Sequence, residues 1–170
     1  MATAFISLGS NIDAELNIQR ALGLLSEWSR LTGLSRFYQT AAIGTAPQPD
    51  FLNGVARIET DLKPHPLKFE MLRNFEAAIG RVRGEDKFAA RTIDLDILLY
   101  GDESVDSPDL KLPDPDLFER DFLAACILDI DAAVSLPDGR LVASLFPAEA
   151  VDALVCNNDF SRQMKSRFLK

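Results

Sequence analysis

The chain has 170 residues, 47% hydrophobic and 26% charged, which suits a chain that buries its own core and lies far from the composition of disordered segments. Its 26 acidic and 18 basic side chains give a net charge of −8, which argues against nucleic-acid and anionic-membrane surfaces as partners, and no apolar run is long enough for a membrane-spanning helix. Two cysteines without a CxxC pair and a solitary histidine exclude a disulfide framework and zinc-ligand spacing. One globular unit over 1–170 is expected, and cytoplasmic, since the first residues lack the basic-then-apolar order of a secretory signal.

In chain order, residues 4–11 read as a short strand breaking at Gly9-Ser10-Asn11, and Leu16, Ile18, Leu22, Leu25 and Trp28 then recur near helical spacing. Phe37 and Tyr38 fall in a second strand ending near Thr40, before a loop over 41–50 rich in Ala, Gly and Pro. In 51–60, alternation puts Phe51, Asn53, Val55, Arg57 and Glu59 on one face and Leu52, Ala56 and Ile58 on the other, which is the core face. Pro64 and Pro66 suit the start of a helix carrying Leu67, Met71, Phe75, Ala78 and Ile79, with Gly80 as its terminator.

Residues 81–90 are charged and irregular, whereas RTIDLDILLY over 91–100 is apolar and β-branched, as a buried central strand should be. LPDPDL reads as a rigid loop, FERDFLAACILDI as helix with Cys126 a buried thiol, and the PDG of SLPDGRLV as a tight turn. His65, between two prolines, is a poor member of a catalytic triad. Strands and helices that intermix without regular βαβ alternation give an α+β fold, with helices packed on a mainly antiparallel sheet.

The polar members of the apolar strand carry the chemistry. Asp94 and Asp96 leave the same strand face with Cα atoms about 6.5 Å apart. Two carboxylates side by side repel, and a hard cation such as magnesium offsets that repulsion; a strand end with two solvated aspartates is the other reading. Arg81, Arg83, Lys87 and Arg91 precede the pair closely, and guanidinium forks match phosphate oxygens, so the segment reads as a polyphosphate site or, alternatively, as arginines that simply neutralise the aspartates. No Walker-type glycine loop with its lysine is present. Phe51 and Asn53 share a face, an aromatic plane beside an amide that donates and accepts; this suits a flat heterocycle, or else Phe51 covers a packing seam.

The ordered blocks LGSN, QPDFLN, GRVR, RTIDLDILLYGD and LPDPDLFERDF closely resemble the 6-hydroxymethyl-7,8-dihydropterin pyrophosphokinases of folate biosynthesis. The resemblance runs from the first strand to Asp129; the tail after Val142 adds little to it. It implies a ferredoxin-like α+β sandwich, a monomer with ATP and a reduced pterin as its small-molecule partners, and transfer of pyrophosphate to the pterin hydroxymethyl group with release of AMP. It implies that Asp94 and Asp96 ligate two magnesium ions (Mg2+), and that Arg81 and Arg91 join them as the catalytic set. Arg83 and Arg120 then bind phosphate, while Glu76, Phe88, Ile97 and Lys111 fall at positions around the nucleotide. Phe51 and Phe122 match the pair that sandwiches the pterin, with Asn53, Thr40 and Gly44 at its edge.

The chain departs from the family pattern at four places. Ala89-Ala90 replaces Gly-Pro before Arg91, Phe88 replaces a tryptophan, and Ala42 replaces a proline. Pro113-Asp114 replaces a Pro-His pair whose histidine touches ATP phosphates, trading a donor for an acceptor. Two readings follow: an enzyme in which magnesium or Lys111 offsets Asp114, and a degenerate relative that binds pterin or nucleotide without turnover. A nucleotide-sugar transferase with paired aspartates would need a larger α/β sheet.

Overall fold

Strand β1 (Ala2–Ser10) starts two residues before its sequence pattern and pairs antiparallel on both sides in the computed structural model, which describes residues 1–170. Helices cover both faces of the sheet, so Ala4, Ile6 and Leu8 are buried on one side and Phe5 on the other. Helix α1 (Ala14–Trp28) lays Ile18, Ala21, Leu22 and Leu25 on the first face at i, i+3, i+4 and i+7. Leu16 and Trp28, expected in that stripe, are exposed.

In place of one strand ending at Thr40 the chain forms two, β2 (Arg30–Leu34) and β3 (Tyr38–Thr40), both antiparallel to β4 (Phe51–Thr60). The break has a packing cause. Phe37 leaves the strand line to become fully buried, edge-on to Phe160 with ring centroids 5.2 Å apart, and the Ser35 hydroxyl accepts from the Val55 N–H at 2.8 Å. In β4, Leu52, Ala56 and Ile58 enter the main core as expected, and Val55 on the opposite face enters a second core. Phe51 and Asn53 share Val55's face but remain half-buried.

A helical segment over 64–78, α2, is α-helical at Pro64–Pro66, widens to a π-helix at Leu67–Leu72 and returns to α at Arg73–Ala78. The widening is closed by the Arg73 N–H, which donates to the Lys68 carbonyl five residues back. Leu67 and Leu72 are thereby both fully buried, with Met71, Phe75, Glu76 and Ile79, whereas Ala78, expected inside, is exposed. Gly80, at φ 87°, ends the segment.

Strand β5 (Asp94–Tyr100) pairs only with β1, so it is an edge strand rather than the central one its apolar sequence suggests. Its other edge is closed by a following segment whose Asp114 N–H donates to the Leu98 carbonyl at 2.9 Å, and this cover explains the apolar sequence. That segment contains a hairpin, β6 (Val105–Asp106) and β7 (Lys111–Leu112), and a 3-10 turn at Pro115–Phe118.

Helix α3 (Asp121–Ile130) covers the second face, burying Leu123, Cys126 and Ile127 against Phe5, Val55 and Leu99. Burial pushes the Cys126 thiol up to about 12, as befits a packing residue. The PDG turn forms with Gly139 at φ 87°. Short helix α4 (Ala148–Asp152), strand β8 (Val155–Cys156) on the free edge of β3, and α5 (Asn158–Phe168) complete the chain. The sheet runs β5-β1-β4-β3-β8 with β2 also on β4, every pairing antiparallel: an α+β, ferredoxin-like sandwich. No helix is long and apolar enough to cross a membrane.

Candidate active site

The pairing register aligns the end of β1 with the starts of β4 and β5, placing Gly9 opposite both Asn53 and Asp94, and Ser7 opposite Asp96. At that end of the sheet lies a cavity of about 740 Å³, walled by these strand ends, by Lys68 and Arg73 of α2, by segment 81–91 and by residues 116–123. Among the residues singled out from sequence, Thr40, Phe51, Asn53, Arg81, Arg83, Phe88, Arg91, Asp94, Asp96, Arg120 and Phe122 all line it.

The two aspartates differ in their surroundings. Asp94 Oδ1 accepts from Arg81 Nη1 at 2.5 Å and Oδ2 from Arg91 Nη1 at 2.7 Å. Burial alone would raise its pKa, but the two guanidinium groups outweigh burial and hold the carboxyl below the usual range. Asp96 has no hydrogen-bond donor on its carboxylate and one cation near it, Lys68 Nζ at 3.4 Å. Burial, then the negative Asp94, push Asp96 up to about 7, and Lys68 only partly opposes them.

Nowhere do three or more His, Cys, Asp or Glu side chains converge into an all-protein metal cage. Magnesium does not require one: it keeps several waters and binds through one or two carboxylates plus substrate phosphates. A half-buried carboxyl with unused oxygens beside a second carboxylate fits that ion.

Behind the cavity wall, Glu76 is 2% exposed on α2 and anchors three groups. Its Oε1 accepts from Arg81 Nη1 at 3.0 Å and from the Leu95 N–H at 2.9 Å, and its Oε2 accepts from Arg83 Nη2 at 2.5 Å. Glu76 therefore orients arginines from behind instead of lining the cavity. Ile97 is likewise outside the lining, fully within the main core. Lys111 points to Asp106 across the hairpin at 3.5 Å and is not in the lining. Gly44, at φ 127°, lies just outside it and backs onto Phe88.

At the other end of the cavity Asn53 Nδ2 donates to Thr40 Oγ1 at 2.7 Å beside the Phe51 ring. Gly9 makes this possible: a Cβ there would sit 2.6 Å from Asn53 Oδ1, closer than packing allows. Phe122 enters the same space from the first turn of α3.

Asp114 is not in the lining. It caps the 3-10 turn, its Oδ1 accepting from the Asp116 N–H at 2.8 Å. Burial raises its pKa, Asp116 and Asp94 add to the rise, and Lys68 and the cap hydrogen bond oppose it.

Sequence reasoning passed over four residues. Lys68 and Arg73 face the cavity from α2, and Asn11 and Gln48, outside the lining, bind two residues of its rim, Arg91 and Phe88. Asn11 Nδ2 donates to Gln48 Oε1 at 2.8 Å, Asn11 Oδ1 accepts from the Arg91 N–H at 2.9 Å, and Gln48 Nε2 donates to the Phe88 carbonyl at 2.8 Å. Both amides stand inside motif blocks, LGSN and QPDFLN, which was the available signal.

An antiparallel α+β sandwich whose strand ends gather a carboxylate pair, arginines and an aromatic–amide pocket in one cavity defines a phosphate-transferring class of protein. A sequence model of the 7,8-dihydro-6-hydroxymethylpterin-pyrophosphokinase family matches residues 5–132, and the chain belongs to that family. It is 38% identical over 148 residues to the 2-amino-4-hydroxy-6-hydroxymethyldihydropteridine pyrophosphokinase of Haemophilus influenzae, covering 85% of this chain and 91% of that one. The protein of the same name from Pseudomonas aeruginosa is 36% identical over 156 residues, 88% and 95% of the two chains. Among solved structures, the wild-type HPPK-DHPS of Plasmodium falciparum superposes with a TM-score of 0.68 at 12% identity, a likeness of fold. The match covers 98% of this chain and 46% of that one, so the chain spans a little under half of the longer protein.

Proposed function

We propose that the protein transfers the pyrophosphoryl group of ATP to the hydroxymethyl oxygen of 6-hydroxymethyl-7,8-dihydropterin, releasing AMP, in folate synthesis. The observation that carries this reading is that Asp94 and Asp96 share one cavity with the arginines and with Phe51, Asn53 and Thr40. Phe51 and Phe122 hold the pterin faces, and the Asn53 amide and Thr40 hydroxyl read its edge. Arg81, Arg83, Arg91 and Arg120 bind the triphosphate, the first two held in position by Glu76.

Asp94 and Asp96 would hold magnesium, read as two ions, which would supply charge neutralisation and Lewis-acid polarisation of phosphoryl oxygens. Phosphoryl transfer asks little covalent work of the protein, so alignment and charge stabilisation suffice, in keeping with a cavity that no histidine lines. We read the protein as a cytoplasmic monomer that needs no nucleic acid or membrane. A binder without turnover is disfavoured because Arg81 and Arg91 hydrogen-bond to Asp94 while Asp96 lines the same cavity with its carboxylate oxygens unbonded.

The test is AMP formation from ATP, magnesium and the hydroxymethyl dihydropterin. The wild type is expected to form AMP, and Asp96→Ala to lose turnover and magnesium-dependent ATP binding while keeping its fold. Unchanged turnover in that variant would remove the metal assignment, and no AMP from the wild type would remove the reaction.

A further inference from the structure

We propose that Lys68 is a further phosphate-binding residue, which moves from Asp96 to the nucleotide's transferred phosphates when the divalent cation takes the Asp96 oxygens; this rests on the reaction proposed above. Lys68 lines the cavity with a side chain 22% exposed, and its ammonium is the one cation against Asp96. At 3.4 Å, with no hydrogen bond, the contact is electrostatic and easily exchanged. The anionic groups that face Lys68 are Asp96 of β5 and Asp114 of the following turn, whose carboxyls it pulls down against burial.

The three arginines nearest the aspartates are less free. Arg81 is 10% exposed and shared between Glu76 and Asp94, Arg83 is tied to Glu76, and Arg91 to Asp94. Magnesium on Asp96 would repel an ammonium from the same carboxylate, leaving it Asp114 or a phosphate bound to that ion, of which the phosphate carries the greater charge. An ammonium with three donors on a flexible stem suits such a non-bridging oxygen.

The backbone shows how the residue is delivered. Lys68 sits in the π-helical turn Leu67–Leu72, and its own carbonyl accepts the wide-turn bond from the Arg73 N–H. Without the extra residue of that turn, Lys68 would rotate by about 100° relative to the rest of α2 and leave the cavity.

The experiment compares wild type, Lys68→Met and Lys68→Arg in steady-state AMP formation, and in calorimetric binding of a magnesium-bound, non-hydrolysable ATP analogue. Lys68→Met is expected to raise KM for ATP and weaken analogue binding about tenfold, which corresponds to 1.4 kcal/mol, with KM for the pterin unchanged. Lys68→Arg should recover most of the loss. Unchanged ATP KM and analogue affinity in Lys68→Met, with half-maximal activity at lower magnesium, would overturn the proposal, since the lysine would then merely fill the cation's place. A folded wild type that forms no AMP would sink the reaction itself, while the calorimetric comparison would still decide Lys68. If Lys68→Met does not fold, Lys68→Gln takes its place in both measurements, with the same outcomes.

Discussion

Asp114 shows how one side chain can serve a turn and act on a charged site together. Its Oδ1 caps the 3-10 turn, and its negative charge reaches Asp94, Asp96 and Lys68. Replacing it separates the two effects. Asp114→Asn keeps an oxygen for the Asp116 N–H and removes the charge, so ATP should bind several-fold more tightly with thermal stability little changed. Asp114→His also removes the charge but loses the cap, at about 1 kcal/mol of stability. Calorimetric ATP binding and thermal melting of both variants check this, and weaker ATP binding by Asp114→Asn would instead make the carboxylate a metal ligand. The counter-charge for this position was sought in sequence at Lys111, its near neighbour. The hairpin turns Lys111 to Asp106, and the cation in range is Lys68, brought from α2 by the fold. Proximity along the chain is a poor guide to which charges meet, whereas the shared face of Asp94 and Asp96 follows from the two-residue period of a strand.

Helix α2 and strand β5 meet at Glu76, which accepts the Leu95 N–H and carries two guanidinium groups. Glu76→Gln leaves this buried cluster short of one negative charge and sets an amide N–H₂ against an arginine. Breaking a buried pair costs about 3–5 kcal/mol, and Arg81's retained bond to Asp94 puts the expected loss near the lower end. The urea midpoint should fall accordingly, and a shift equivalent to less than about 0.5 kcal/mol would show that the cluster contributes no net stability. The start and stop of α2 were legible, with prolines at the first turn and Gly80 beyond the last. Its π turn was not. No residue type encodes a wide turn; it arises because Leu67 and Leu72, five apart, are both drawn fully into the core. The split of β2 from β3 was hidden for the same reason, since Phe37 reads as a strand residue until Phe160 is in place to receive it.

Across the whole molecule, charge is unevenly spread. The net charge is −8, yet Lys68, Arg73, Arg81, Arg83, Lys87, Arg91 and Arg120 line one cavity against six carboxylates, a balance of +1 there that favours an anionic ligand over the rest of the surface. The tail carries no chemical motif and adds little to the family resemblance. It nonetheless pairs β8 with β3 and sends Phe160 and Met164 into the main core, an apolar i, i+4 spacing that was readable as an amphipathic helix. A chain ending at Leu154 should lose at least the 3–5 kcal/mol typical of deleting one large buried side chain, seen as a sharply lower melting temperature or as insolubility. An unchanged melting temperature would show the tail to be dispensable. The stitched rim couples the molecule's parts in another way. Asn11 and Gln48 bind the β1–α1 turn, the 41–50 loop and segment 81–91 to one another, so the outward swing of any one must part these amide contacts or carry the others with it. The three segments thus form one linked rim, in which a strain on any one is passed to the other two.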